Sequence, residues 1–308
     1  MKKWISYFCL FLFLIISMFF TNKSIMIYRN NDPIMKKIRE YSSKYYINPR
    51  DALIDNYDIV SGSYGREVDV YKSYYKMKQY GSYNELLTVF NEIKPNISID
   101  DNYDKYLIRG NGNKREVALV FLVDDEKNIS FIIRLLNNKN IKATFFVDGS
   151  LLENNNFISI LKSYEIELLS YNNSYEEVFF KSSLSYLESI TGKRPSYCFT
   201  SEDNILLLNI CSANKMHTIK SKIYSRDLLR NIRKDLVNSM IIPIKDISID
   251  ELSTLVDYLQ KKGYSFVSVK ELFSEDDAWK RLCIFFFYCI IFIRVKEYVL
   301  KGNKYNWI

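Results

Sequence analysis

The chain has 308 residues, 48% of them hydrophobic and 16% aromatic, which suffices for a folded core and excludes a disordered protein. Its net charge of +7 is unevenly placed: residues 1–30 carry +4, residues 279–308 carry +5, and the middle carries −2. Positive charge at the two ends rather than on the folded body speaks against a nucleic-acid partner and for a membrane surface.

The first element follows Lys2 and Lys3: "WISYFCLFLFLIISMFF", residues 4–20, has no charge. That is the short end of a membrane span, which needs about 20 residues. The next residues, "TNKS", contain no small-x-small cleavage site, so the segment reads as an uncleaved signal anchor. Cys9 lies inside the apolar run and gives no lipid-anchor pattern. Lysines before the span place the N-terminus in the cytoplasm and the body outside.

"NDPIMKKIREYSSKYY" then reads as a helix, with Asp32 as N-cap and Pro33 in the first turn. Residues 50–110 hold short β-like runs around Gly62 and Gly65, and a Gly/Asn turn follows at 110–113. This part reads as a partly β accessory module without a chemical signature.

From Val117 the pattern becomes regular. Apolar runs at 117–123, 143–147, 166–170, 196–200, 217–221, 240–244 and 264–269 alternate with helix-period segments such as "ISFIIRLLNNKN" and "DLLRNIRKDLVN". "SIDELSTLVDYLQKKG" is the clearest helix, with a capping box expected from Ser248 and Glu251 and an end at Gly263. Alternating strands and helices imply a parallel sheet, and seven strands in so short a stretch suit a small, incomplete (β/α) barrel.

A second apolar run, "LCIFFFYCIIFI" at 282–293, rises only about 18 Å as a helix, short of the ~30 Å hydrocarbon core. It is read either as a membrane-associated helix bracketed by Lys280, Arg281 and Arg294 or as a buried terminal helix. In the body, Cys198 and Cys211 either pair in an oxidising compartment or remain two buried thiols.

Sites in parallel sheets gather at the C-terminal ends of the strands. Those ends offer Asp124, Asp125, Asp148, Tyr171, Tyr175, Glu202, Asp203, Lys220, Lys222, Lys245 and Asp246, a polar rim of both charge signs. For each of them alone, an ordinary solvated loop is the simpler reading.

"VALVF", "IKATFFVDG", "ITGKRP" and "KKGYSFVSVKELF" occur in the order in which the polysaccharide deacetylase family, the NodB-homology domain, carries similar words. Residues 117–273 resemble that family. The resemblance implies metal-dependent deacetylation of amino-sugar polymers, with a metal held by an aspartate and two histidines four residues apart, and a second aspartate as base. Matched position by position, the aspartate pair falls on Leu122 and Val123, the histidine pair on Tyr171 and Tyr175, an arginine on Phe199, and a late histidine on Lys245. The whole chain contains one histidine, His217, so a two-histidine site cannot be built from it. An all-oxygen site from Asp124, Asp125 and Glu126 for Ca²⁺ or Mg²⁺ is weighed against three solvated acids, and the solvated reading is preferred.

The sequence therefore divides into a signal anchor (1–21), an accessory module (22–115), a deacetylase-like domain (116–275) and a basic, apolar C-terminal helix (276–308). The reading is a membrane-anchored pseudoenzyme with no catalytic residues, no metal and no cofactor, its body outside the cell. Its candidate binding groove is Asp124, Asp125, Asp148, Tyr171, Tyr175, Glu202, Asp203, Lys245 and Asp246. The expected partners are cell-envelope polysaccharide or an envelope-assembly protein, with the membrane and without nucleic acid. A divergent carbohydrate deacetylase and a structural membrane-tethered scaffold are the alternatives.

Overall fold

The computed structural model describes residues 2–169, 176–224 and 227–276. The run at 282–293 lies outside them. In chain order the first elements are α1 (Lys2–Asn31), α2 (Pro33–Ser42), β1 (Leu53–Asp55), β2 (Asp58–Val60), β3 (Gly65–Val68), α3 (Val70–Tyr80), β4 (Phe90–Ile93) and β5 (Tyr106–Arg109). The alternating part follows: β6 (Glu116–Val123), α4 (Ile129–Asn138), β7 (Thr144–Val147), α5 (Asn155–Leu161), β8 (Glu165–Leu168) and α6 (Glu177–Thr191). It continues with β9 (Tyr197–Thr200), α7 (Ile205–Ala213), β10 (His217–Lys220), α8 (Leu228–Asp235) and β11 (Met240–Ile244), and ends with α9 (Ile249–Lys261), β12 (Ser265–Phe266) and α10 (Val269–Phe273).

Contacts divide the chain into two compact units. One joins the residues up to Pro49 with Tyr64–Ile93, and the other joins Arg50–Ser63 with the residues from Lys94 onward. This division does not follow the one expected at 115/116. The reason is strand pairing: β2 and β5, from the supposed accessory module, pair in parallel and carry the sheet on to β10.

In the smaller unit, α2 begins as expected, with the Asp32 carboxylate accepting from the Ile34 N–H. The same buried carboxylate accepts from Lys78 Nζ (2.7 Å) and Tyr74 Oη (3.0 Å), and it is held below the usual carboxylate range chiefly by Lys78. Met35, Ile38, Val68, Tyr74 and Met77 form its small core beside the antiparallel pair β3–β4.

In the larger unit the strands form two sheets of orders β1-β2-β5-β10-β9 and β11-β6-β7-β8, with β12 also on β6. The sheets adjoin where β8 lies beside β9 and β11 beside β5. Strands β5 to β11 thus make a seven-stranded, mostly parallel (β/α) barrel, opened at two seams where no backbone ladder runs. Alternation along the strands separates two cores. Leu107, Ala118, Val120, Leu122, Phe146, Phe199, Ile219 and Ile241 fill the inside, while Leu119, Phe121, Phe145, Val147 and Leu168 pack outward under the helices.

One expected strand moved. The run at 264–269 yields only β12, two residues paired with Glu116 and Val117 at the start of β6. It stops there because Ser268 caps α10 in a full capping box with Glu271. The place in the wall between β10 and β11 belongs to β5. At α9 the expected Ser248 cap forms, accepting from the Glu251 N–H, and Gly263 beyond its end takes φ +79°.

The seam between β8 and β9 is closed by a side chain. Glu167, buried inside the barrel, accepts the N–H groups of Ser196 (2.7 Å) and Tyr197 (3.0 Å) in place of a ladder. Burial pushes its carboxyl well above the usual range. Farther along, Glu275 accepts from the Gly62 N–H (2.8 Å), the Ile99 N–H (3.4 Å) and the Ser98 hydroxyl, tying the end of the barrel domain to the segments before β5. Gly62 is required there, since a Cβ would run into the Arg50 carbonyl. Cys198 on β9 and Cys211 on α7 form a disulfide, which settles the alternative left open by their spacing.

Candidate functional site at the mouth of the barrel

The strands bring Asp124, Asp125, Asp203, Lys220, Lys245 and Asp246 to one end of the barrel, where they fall into two lysine-centred clusters. At the ends of β6 and β11, Lys245 Nζ lies 2.8 Å from Asp124 Oδ2. The ammonium is held above its ordinary pKa first by that hydrogen bond and then by the charges of Asp124, Asp246 and Asp125. Asp125 caps its own loop, accepting from the Lys127 N–H at 2.9 Å, and Asp246 is exposed with φ +54°. A pocket of about 280 Å³ opens beside them, lined among others by Leu122, Asp124, Asp125, Asn128, Asp246 and Ser248.

At the ends of β10 and β9, Lys220 binds Asp58 of β2 and, at 2.9 Å, Asp203. Burial alone would lower its ammonium, but the two carboxylates outweigh burial and raise it. Lys220 also sits over the ring of buried Tyr106, whose hydroxyl accepts the Asn204 N–H at 2.8 Å. Asp58 and Tyr106 escaped the sequence reading because they belong to strands assigned to another module. No motif marked them.

The remaining candidates take other roles. Asp148 is buried and caps the turn Gly149–Leu151, accepting from the N–H (3.0 Å) and hydroxyl (2.6 Å) of Ser150. Glu202 is exposed, and its carbonyl accepts the Thr200 hydroxyl. Tyr171 and Tyr175 lie outside the described residues. A larger pocket of about 890 Å³ lies at the opposite end of the strands, with Lys142, Glu165, Glu167, Lys193, Arg194 and Lys270 in its wall. Its most buried charged residue, Glu167, is committed to closing the seam, so the mouth remains the better candidate despite its smaller volume.

Similarity to known proteins fits this architecture. No family model matches the chain. It is 23% identical over 273 residues to the uncharacterized protein YlxY of Bacillus subtilis (strain 168), covering 80% of this chain and 85% of that one. A crystal structure of a CE4 family pseudoenzyme from Bacillus anthracis superposes with a TM-score of 0.59 at 22% identity, covering 80% of this chain and 97% of that one. A mutant of the same protein, described as having restored enzymatic activity, gives a TM-score of 0.60 at 21% identity, over 80% and 100%. The fold is that of the CE4 polysaccharide deacetylases.

The metal that a CE4 fold implies does not fit the residues present. Of the two positions matched to the aspartates, Leu122 points into the barrel among Phe146 and Phe199, and Val123 points outward under the helices. Neither offers a donor atom. His217 stands at the start of β10, the opposite end from the mouth, stacked on Tyr103 at 4.3 Å with Nε2 3.6 Å from Asp100. The three acids considered for an oxygen site diverge: Asp124 meets Lys245, Asp125 its own loop, and Glu126 the amide of Asn154 at 2.7 Å. Among the described residues no three His, Cys, Asp or Glu side chains are grouped to hold an ion. What the mouth does offer is fixed hydrogen-bond acceptors and two ammonium groups, an arrangement suited to binding polyhydroxylated or charged ligands.

Proposed function

We propose that this chain is a membrane-anchored, catalytically degenerate protein of the polysaccharide deacetylase type, which binds cell-envelope glycan or helps to assemble it. The observation that carries the reading is the Asp124–Lys245 pair. Where the resemblance calls for a late histidine, a lysine ammonium neutralises the carboxylate at the end of β6. A resident cation of this kind puts a positive charge where a metal would supply one, and it engages the Asp124 carboxylate that would otherwise stand free as a base. Sugar hydroxyls can donate to the rim carboxylates, and acidic sugar substituents can meet Lys245 or Lys220.

Two further features support an envelope location. Helix α1 is long and apolar enough to cross a membrane by length and composition. The Cys198–Cys211 disulfide suits an oxidising compartment, which favours a body outside the cytoplasm.

The test combines elemental analysis, a deacetylase assay and pull-down by isolated cell-wall glycan on the full chain in detergent. Expected are no stoichiometric zinc, no chelator-induced fall in melting temperature, no acetate release, and glycan retention that drops in Asp124→Ala/Glu202→Ala. Acetate release that chelator abolishes would return the divergent-deacetylase reading. Unchanged retention in the double variant would move the binding site away from the mouth, and no retention by the parent would favour a scaffold.

A further inference from the structure

Arg29, in the last turn of α1, lies with its guanidinium 4.6 Å from the ring centre of Tyr71 and donates a 2.9 Å hydrogen bond to the hydroxyl of Tyr75. Both tyrosines belong to α3. The end of the apolar helix is thus fastened to one face of the helix that follows β3, within the smaller unit.

The height of Arg29 relative to a bilayer follows from helix geometry. Counted from Trp4, a ~30 Å hydrocarbon core is crossed after about 20 residues, which leaves Arg29 roughly 8 Å beyond its edge. Counted instead by the apolar window Leu10–Asn31, the helix leaves the hydrocarbon near Arg29 itself. Either register puts Arg29 between the hydrocarbon edge and the outer limit of the headgroup layer, about 5–8 Å thick.

The face of α3 beside it has the chemistry of that layer. Ser73, Tyr74 and Met77 turn inward, whereas Tyr71, Tyr75 and Tyr80 are 42%, 55% and 64% exposed. Lys72 and Lys76 sit one residue after the first two tyrosines and are exposed. Lys72 pairs with Asp69 at 3.1 Å, while Lys76 has no acidic partner among the described residues. Tyrosine concentrates at membrane interfaces because an apolar ring and a polar tip suit the headgroup level, and lysine is drawn to anionic lipid.

We propose that the exposed face of α3, formed by Tyr71, Lys72, Tyr75, Lys76 and Tyr80, lies in the headgroup layer of the membrane that α1 enters and binds anionic phospholipid headgroups there. This rests on the membrane-anchor reading of α1. The small unit then lies at the bilayer surface.

The experiment uses the full chain in nanodiscs of phosphatidylglycerol or of phosphatidylcholine, with a photo-crosslinking residue at one site at a time. Phe13→p-benzoylphenylalanine reports the anchor, and Tyr75→p-benzoylphenylalanine reports the proposed face. Both are expected to label lipid. The yield at position 75 should fall about fivefold in phosphatidylcholine, and by a similar factor with Lys76→Glu in phosphatidylglycerol. Lipid labelling at position 13 without labelling at 75 overturns the α3 proposal and leaves the anchor standing. No labelling at 13 overturns the anchor first. Equal yields at 75 on both lipids overturn the anionic-headgroup assignment.

Discussion

Lys245 Nζ stands 2.8 Å from Asp124 Oδ2, joining the end of β11 to the end of β6 across the mouth of the barrel. The side chains are 41% and 32% exposed, so the pair is solvent-screened and contributes on the order of 0.5–1 kcal/mol. Lys245→Met and Asp124→Asn are each expected to cost less than about 1 kcal/mol in denaturant melts at pH 7. Because the folded pKa of Lys245 is raised, its contribution is complete below the unfolded value and disappears as pH rises through the folded one. The coupling in a double-mutant cycle should therefore vanish in strong alkali. A coupling that persists there would assign the contact to packing instead of charge.

Glu167 carries the opposite pH signature. Its folded pKa is raised by burial, so between the unfolded value near 4.3 and the folded one the native state holds a proton that the unfolded chain has released. Stability should fall with rising pH across that window. Glu167→Gln, which can still accept the N–H groups of Ser196 and Tyr197, should flatten the slope without loss at pH 7. Glu167→Ala should cost about 1–3 kcal/mol by leaving those two N–H groups unpaired. If the Gln variant keeps the parental slope in urea melts from pH 4.5 to 8, the source of the slope lies elsewhere.

Glu275 anchors Gly62, Ser98 and Ile99 at once. Glu275→Ala removes three hydrogen bonds to a charged acceptor, and a cost of about 3 kcal/mol is expected. Hydrogen exchange should rise selectively in residues 50–63 and 94–101. Uniform acceleration across the barrel would point to global destabilisation rather than release of those segments.

Cys198 and Cys211 close a loop of sequence separation 13, for which the chain-entropy argument gives about 3 kcal/mol. Reductant, or Cys198→Ser with Cys211→Ser, should lower the melting temperature by several degrees. Labelling of the denatured, unreduced protein should leave both thiols unreacted. Reaction at either one in protein prepared from the envelope would mean that the bond is not formed there.

Period and composition were sufficient for much of this. The alternation of apolar strands with 3.6-period helices specified the barrel class, Asp32 and Ser248 marked two helix starts, and a single histidine excluded the two-histidine site. Periods and caps are local properties and the histidine count is stoichiometric, so each can be read without knowing which strands pair.

Which strands share a wall is a different kind of fact. Tyr106–Arg109 is a four-residue strand separated from β6 by a Gly/Asn turn, and nothing in "YLIR" says that it fills the gap between β10 and β11. The short β12 competes for the same role and loses it, since Ser268 starts a helix two residues later. Through β2 and β5 the fold brings Asp58 and Tyr106 to Lys220, more than 100 residues away in sequence, and makes one of the two clusters at the mouth. Likewise Glu167 reads as an ordinary acid in "IELL" until the missing ladder between β8 and β9 turns it inward to accept two backbone N–H groups. The sequence determined the element types and the absence of a histidine metal site, because those depend on nearest neighbours and on counts. Only the tertiary structure decided the seventh strand, the lysine-bound carboxylates and the buried glutamate, because each depends on which residues the closed barrel brings together and which backbone groups its seams leave to be paired.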